Sequence, residues 1–354
     1  MQLRSAAPGN PSSNGTAMLP DVVFFGSGAF GLPVLRMLAE AGRVALVVSQ
    51  PDRVAGRGKQ LTPTPVSEFA LGHGLPLVRP EDCNSHIDSE LIRTAAAAAV
   101  DRAARDGRAQ PGAVFVVIAF GQKMSTELLS DVFSINLHGS LLPRWRGAAP
   151  IQRALMEGDP VAGVSVIALA ERMDAGVVYA EEPLAIGPSQ TSGELHDALA
   201  ELGPDVVASV LSMWRHGDIN ARAQDETRAT RARKLSKSDA WVDLSMHAFH
   251  VRARINGLNP WPGCAVEIDG APMQIRRCEV VASVADLAVT ATDTGTPSAG
   301  TLTPDGILTC GTGAVRILEV QAAGGRILPF TAWAHGARII APVQVTSAPP
   351  TAEL

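Results

Sequence analysis

From Asp21 to about Arg215, short apolar runs alternate with segments whose apolar positions recur every three or four residues. The runs are DVVFF (21–25), VALVVS (44–49), AVFVVIAF (113–120), INLH (135–138) and VSVIAL (164–169). Between them, LPVLRMLAEAG (32–42), PVSEFALGHG (65–74), STELLS (125–130) and AAPIQRALMEG (148–158) carry the helical period. This alternation predicts βαβ units around a mostly parallel sheet. ELHDALAELGPDVVASVLSMW (194–214) predicts one or two amphipathic helices closing the domain. Residues 94–112, alanine-rich with interspersed Arg and Asp, read as a solvent-facing helical insertion ending near Pro111.

The pattern then changes. Residues 217–239 are polar and charged without a hydrophobic period and read as a linker. Beyond them VEIDG (266–270), MQIRRCEVV (273–281), GILTCGTG (306–313) and AVRILEV (314–320) are short alternating strands with Gly/Asp turns, the pattern of a small antiparallel barrel or sheet. The expected organisation is a tail over 1–20, an α/β domain over 21–215 carrying the 94–112 insertion, a linker centred on 216–230, a second domain over 231–345 and a tail over 346–354. Both tails are expected to be disordered.

Composition narrows the class. Of 354 residues, 46% are hydrophobic and 18% charged, enough apolar material for a sizeable core. No apolar run approaches the roughly 18–20 residues needed to span a bilayer. The first twenty residues are Pro/Gly/Ser/Asn-rich and lack the apolar stretch of a secretory signal. Cys83, Cys264, Cys278 and Cys310 are far apart with no metal-type spacing, as expected of a reduced, cytoplasmic protein without a metal site. His247 and His250 sit three apart, but no ligand pattern accompanies them. The net charge of −5 excludes a generally basic nucleic-acid binder. It is uneven, however: residues 228–345 hold twelve Lys/Arg against nine Asp/Glu, a local +3 that leaves −8 for the remainder. A nucleic-acid-binding face in the last third is compatible with that distribution.

Three motifs carry candidate chemistry. GSGAFG spells G-x-G-x-x-G through Gly26, Gly28 and Gly31, between a strand and a helix, where a dinucleotide fingerprint belongs. The companion acid is misplaced: Asp52 follows Pro51 in a loop rather than ending the second strand. The glycines are therefore read as bending the first loop beside a site used by something else. QPDRVAGRGKQLTPTPV (50–66) is a long loop with Arg53, Arg57 and Lys59, made mobile by glycines and pinned at its exit by Pro63 and Pro65. Its place at the carboxyl end of a parallel strand suits a grip on a polyanion.

The third motif is INLHGSLLPRWRGAAPIQRAL (135–155). In a strand, Asn136 and His138 project from one face while Leu137 turns to the other. Alone, a histidine at a strand end is more often structural. A third polar group alters the balance: AERMDAG (170–176) places Asp174 on a Gly-bounded loop, at the same sheet edge if the preceding strand runs parallel. Amide, imidazole and carboxylate together form an acid/base and oxyanion set. No G-x-S-x-G elbow accompanies them, so two bound substrates are expected to react directly, an electrophilic carbonyl with a nucleophile that loses a proton.

NLHGSLLPRWRGAAPIQRAL, with Asp174 following 36 residues after His138, resembles the 10-formyltetrahydrofolate-dependent formyltransferases, whose signature is Asn-x-His with a downstream Asp. The match is nearest to the branch whose acceptor is methionyl-initiator tRNA. QPDRVAGRGKQLTPTPV resembles that branch's basic loop, and ARKLSKSD (232–239) and INGLNPWPG (255–263) resemble its linker and second domain, so the similarity covers about residues 21 to 345. Val177 stands where the family often has an acid, Arg231 where an aromatic is usual, and both tails are long.

The resemblance implies a Rossmann-like domain followed by an OB-like, tRNA-binding β-barrel. It implies that the α-amine of methionyl-initiator tRNA attacks the formyl carbon of 10-formyltetrahydrofolate to give N-formylmethionyl-tRNA for translation initiation. Asn136 and His138 would donate hydrogen bonds to the developing oxyanion, and Asp174 would orient His138 and help remove the amine proton through water. Ser140, Leu141, Leu142 and Pro143 would form the folate-binding segment. Arg53, Arg57, Lys59, Lys234 and Lys237 would contact tRNA, Arg57 foremost. No metal, no membrane and a monomeric state are expected. The rival within the same chemistry is transfer to a small amine, an amino-sugar nucleotide or glycinamide ribonucleotide.

Overall fold

The computed structural model describes residues 19–55, 60–281 and 298–349. Along the chain come β1 (Val22–Gly26), α1 (Leu32–Glu40), β2 (Val44–Val48), a hairpin of β3 (Arg53–Ala55) and β4 (Gln60–Thr62), α2 (Pro65–Gly72) and β5 (Leu77–Val78). There follow α3 (His86–Arg105), β6 (Ala113–Ile118), α4 (Thr126–Leu129), β7 (Val132–His138), β8 (Arg146–Gly147), α5 (Pro150–Met156), β9 (Val161–Ala168), β10 (Val178–Ala185) and α6 (Ser192–His216). Each strand named from the sequence in this region is present.

These strands form a seven-stranded sheet in the order β10-β9-β7-β6-β1-β2-β5. The five from β7 to β5 are parallel, as the βαβ alternation requires. The exception is β9, antiparallel to β7, with His138 opposite Ser165 and Ile135 opposite Ala168. One face is filled by Val23, Phe25, Phe115 and Val117 with Ile92 and Ala96 of α3. Phe25 meets Phe115 and Phe120 edge-on at centroid distances of 4.9 and 5.4 Å. On the other face Leu137 lies where a Cβ on Gly203 of α6 would meet it at 2.8 Å, so the glycine lets helix and strand approach.

The solvent-facing insertion expected at 94–112 is instead largely α3 itself. Ile92, Ala96, Ala99 and Ala103 recur at helical spacing and are buried, and the helix packs on β1, β2 and β6. Ala96, Ala99 and Ala103 fit the small clearance over the sheet while Ala97, Ala98 and Ala104 face solvent, so the helix is amphipathic rather than wholly solvent-facing. Arg102 and Arg108 also turn inward, holding the buried Asp21 carboxylate at 2.9 Å each.

Beyond α6 come β11 (Arg231–Ala232), α7 (Ala248–Gly257), β12 (Cys264–Ile268), β13 (Ala271–Val280), β14 (Thr301–Leu302), β15 (Ile307–Thr309), β16 (Ala314–Ala322), β17 (Ile327–Pro329), α8 (Phe330–Ala337) and β18 (Val343–Thr346). The strands run β13-β12-β18-β14-β15-β16, and β16 pairs back onto β13, closing a six-stranded antiparallel barrel. This is the OB-like domain expected from the second half, with β17 added beside β16. Val251, Ile255 and Leu258 join the barrel core. The Asn256 amide both donates to and accepts from the Cys278 backbone, at 2.9 and 3.0 Å.

The described residues fall into two compact units. One draws on the chain through Pro143, Gly163–Glu182 and Asp197–Ala229, the other on Arg144–Ala162, Pro183–His196 and the chain from Thr230. The presumed linker is not a bare spacer. Arg222 exchanges both backbone hydrogen bonds with Val178, at 2.8 and 2.9 Å, and β11 pairs in parallel with β8. Packed chain also extends past both expected boundaries: Leu19 is fully buried, and Ser347 accepts the Val242 N–H at 3.1 Å. The remainder of the expected tails, 1–18 and 350–354, lies outside the described residues. No described helix is long and apolar enough to cross a membrane.

Candidate active site

Parallel strands deliver their carboxyl ends to one edge, and there β7 ends in Asn136-Leu137-His138. Alternation puts Asn136 and His138 on the face opposite Leu137. His138 Nδ1 lies 3.7 Å from Asp174 Oδ1, and the two side chains are only 7% and 8% exposed. An imidazole and a carboxylate this deeply removed from water interact through a lower dielectric than any surface pair.

Asp174 reaches that position by a route the sequence did not show. Because β9 is antiparallel to β7, it ends level with Ile135, away from His138. The chain then doubles back through 169–177 before β10. The reversal uses a left-handed residue, Asp174 itself at φ 55°. It also uses Gly176, where an added Cβ would land on the Ala168 carbonyl oxygen. The Gln224 side-chain amide donates to the carbonyl oxygens of Asp174 at 2.8 Å and Gly176 at 2.7 Å.

The segment Ser140–Pro143 follows β7 directly. Ser140, Leu142 and Pro143 are buried and Leu141 is half-buried, with a cis peptide bond between Leu142 and Pro143. Leu142 packs with Ile167 and Val178, so it faces the core. Leu141 lies over Gly163, where a side chain would collide with it. The turn is held by Ser165, whose hydroxyl accepts the Leu142 N–H at 3.1 Å and lies 2.7 Å from the Ser140 carbonyl and 3.2 Å from Glu181 Oε1. Glu181 is in turn paired with Arg222 at 2.5 Å. What the segment offers a ligand is therefore main chain and Leu141.

Arg53 is exposed on the β3–β4 hairpin, whose Val54 and Leu61, cross-strand partners, are 62% and 67% exposed. Arg57 and Lys59 lie outside the described residues. Lys234 and Lys237 are exposed in the second unit, Lys237 opening a short 3-10 turn capped by Ser236 and Asp239. The Arg-Trp-Arg stretch is also part of that unit. Arg144 grips Asp159 at 2.6 and 3.0 Å and lies over the Trp145 ring, whose N–H donates to the same carboxylate at 2.7 Å.

The glycine-rich loop is already satisfied. The N–H groups of Ser27 and Gly28 donate to the Ala119 carbonyl at 3.2 and 3.4 Å, and the Ser27 hydroxyl donates to the Phe120 carbonyl at 3.0 Å. Asp52 is taken by the Arg79 guanidinium at 2.7 and 2.8 Å. A pyrophosphate would need those donors and a ribose that acid, so a dinucleotide is disfavoured. The thiols offer no nucleophile, since burial pushes Cys83 up to about 11 and Cys264 and Cys310 up to about 12. Among the described residues no group of three or more His, Cys, Asp or Glu is placed to hold a metal ion.

Sequence reasoning missed Ser165, Glu181, Arg222 and Gln224. Their partners are backbone groups or residues far along the chain, so no local motif marks them.

The chain matches two family models: Formyl transferase over residues 21–211, and Formyl transferase, C-terminal domain, over residues 234–338. Methionyl-tRNA formyltransferase of Neisseria gonorrhoeae is 39% identical over 322 residues, covering 90% of this chain and 97% of the relative. That of Methylococcus capsulatus is 35% identical over 308 residues, covering 86% and 93%. Among solved structures, an N-formyltransferase from Helicobacter canadensis in complex with folinic acid and dTDP-3-aminofucose shares the fold. Its TM-score is 0.59 at 10% identity, covering 84% of this chain and 98% of that one.

Proposed function

The chain belongs to the formyl transferase family, and from that premise we propose that it moves the formyl group of 10-formyltetrahydrofolate onto the free α-amine of methionyl-initiator tRNA. The observation that carries the reading is the buried His138–Asp174 pair at the carboxyl end of β7. It shares that strand face with Asn136, in a chain that covers methionyl-tRNA formyltransferases almost end to end.

The donor set fits an acyl transfer without a protein nucleophile. As the amine adds to the formyl carbon, negative charge grows on the formyl oxygen. Donors from Asn136 and His138 aimed there would stabilise it by about 3–4 kcal/mol each. Asp174, 3.7 Å from Nδ1, would orient the imidazole so that its other nitrogen serves the reacting atoms. The amine loses a proton and N10 of the folate gains one as the C–N bond breaks. The imidazole–carboxylate pair, with water, can relay that proton. The half-buried Leu141, with the main-chain groups of Ser140–Pro143 that Ser165 does not occupy, would receive the flat pterin ring.

For the acceptor, Arg53 would grip the tRNA end from the hairpin, and Arg57 and Lys59, outside the described residues, are assigned to the same task by sequence. Lys234 and Lys237 would meet phosphates, contacts that position rather than specify. The reading assigns catalysis to 21–215, whose basic loop also meets the tRNA end, and further tRNA binding to 231–345. A role in translation initiation suits a cytoplasmic location, and the reading takes the chain as a monomer.

The test is an acceptor panel. Purified protein and 10-formyltetrahydrofolate are offered methionyl-initiator tRNA, methionyl-elongator tRNA, an amino-sugar nucleotide and glycinamide ribonucleotide. Rapid formylation of the initiator species alone is the expected result. Transfer to a small amine would keep the Asn136, His138 and Asp174 roles and overturn the tRNA assignment.

A further inference from the structure

We propose that Gln224 is a positioning residue for this reaction, its side-chain amide fixing the loop that presents Asp174 to His138. The proposal rests on the role given to Asp174 above. It deepens that reading by locating what holds the carboxylate in place.

Asp174 adopts φ 55°, a left-handed conformation that aspartate bears better than most side chains but that remains strained for any residue with a Cβ. It sits in a loop that doubles back on the sheet, and such strain persists only where surroundings over-determine it. Around it, the Ala168 N–H donates to the Val177 carbonyl at 2.9 Å, the Ala175 N–H to the Arg172 carbonyl at 3.2 Å and the Leu169 N–H to the Ser134 carbonyl at 3.3 Å, and the Arg172 guanidinium pairs with Glu226 at 3.0 Å. At the loop's turn itself, the carbonyls of residues 174 and 176 each receive one hydrogen of the Gln224 amide, at 2.8 and 2.7 Å. Pinning the carbonyls of residues 174 and 176 restrains the backbone rotations by which the loop could carry Asp174 off His138.

The clamp is itself held. Arg222 lies two residues earlier, bonded to Val178 through both backbone groups and to Glu181 through its guanidinium at 2.5 Å. Gln224 therefore projects from a strip zipped onto the edge of the sheet. The chemistry demands an amide there. Both acceptors are carbonyl oxygens, so the nitrogen must face them and must supply two hydrogens. Glutamate has the same length but, ionised, sets acceptor against acceptor. Methionine has similar volume and no donor.

The experiment pairs Gln224→Glu and Gln224→Met with Asp174→Asn. If Gln224 acts through Asp174, each Gln224 variant lowers kcat by about 10²-fold, the loss a misplacement near 1 Å can cause, with the KM of either substrate little changed. In the Asp174→Asn background the same changes should then cost nothing further. Losses that multiply, or a rise in KM with kcat preserved, would overturn the proposal. A second readout needs no substrate: the ¹⁵N resonances of the His138 imidazole, assigned by their loss in His138→Ala. Gln224→Glu and Gln224→Met should move them toward their positions in Asp174→Asn. Unmoved resonances would also overturn the proposal. If the wild-type protein formylated no acceptor at all, the functional reading would fall while the imidazole resonances still decided the role of Gln224.

Discussion

Asp174 Oδ1 stands 3.7 Å from His138 Nδ1 although the strand leading to Asp174 runs the opposite way from the strand that ends in His138. A loop that reverses to bring a carboxylate onto a buried imidazole serves the imidazole, not the sheet. His138→Ala is therefore expected to lower kcat by about 10²–10³-fold, the loss typical of one oxyanion donor. Asp174→Asn, which keeps the shape and removes the charge, should cost a comparable factor. Affinity for methionyl-initiator tRNA, read by filter binding, should change little in either. Equal loss of binding and turnover would make His138 a structural residue.

Ser165 is the hinge pin of the turn after β7. Ser165→Ala strands the buried Leu142 N–H, at an expected cost of about 1–3 kcal/mol, measurable by urea unfolding. It also loosens the Ser140–Leu142 turn. The KM for 10-formyltetrahydrofolate should rise while kcat at saturating donor is largely kept. A stability loss with an unchanged donor KM would show that Ser140–Pro143 is scaffold, and the folate assignment would go.

How far the sequence could be read depended on the range of the interaction. Periodicity placed the strands, because burial acts residue by residue along each element, and the Gly/Asp turns marked the barrel. The strand alternation that sets Asn136 and His138 side by side is equally local. Asp174 was found by resemblance and by a conditional guess about strand direction that β9 does not obey. The alanines of 94–105 misled because a small side chain serves solvent exposure and tight helix–sheet packing alike. Gln224 was invisible for a different reason. A side chain whose partners are two backbone carbonyls leaves no complementary residue in the sequence to pair with it.

If Lys234 and Lys237 meet phosphates, each neutralises one charge and releases its condensed counterion. Lys234→Ala and Lys237→Ala should then each reduce the slope of log K for tRNA against log salt by about 1. The preference for initiator over elongator tRNA should be unchanged, because a phosphate contact carries no sequence information. An unaltered slope in both variants would remove these lysines from the interface.

The four cysteines allow a test of the reduced state expected from their spacing. All are buried and none is in a disulfide. Desolvation pushes Cys83 up to about 11 and Cys264 and Cys310 up to about 12, and raises Cys278 well above its ordinary value. The sign is that of any buried acid: removing water penalises the charged thiolate, so the neutral thiol persists to higher pH. Since the thiolate is the reacting species, a thiol titrating near 12 is ionised at pH 8 to only on the order of one part in 10⁴. The native protein at pH 8 should therefore be nearly inert to a disulfide reagent such as DTNB, while unfolding in guanidinium should release four rapidly reacting thiols. Fast modification of one cysteine in the native state would locate an opening of the fold at that residue. Cys83, beneath the sheet of the first unit, and the three barrel cysteines would report separately on the two units.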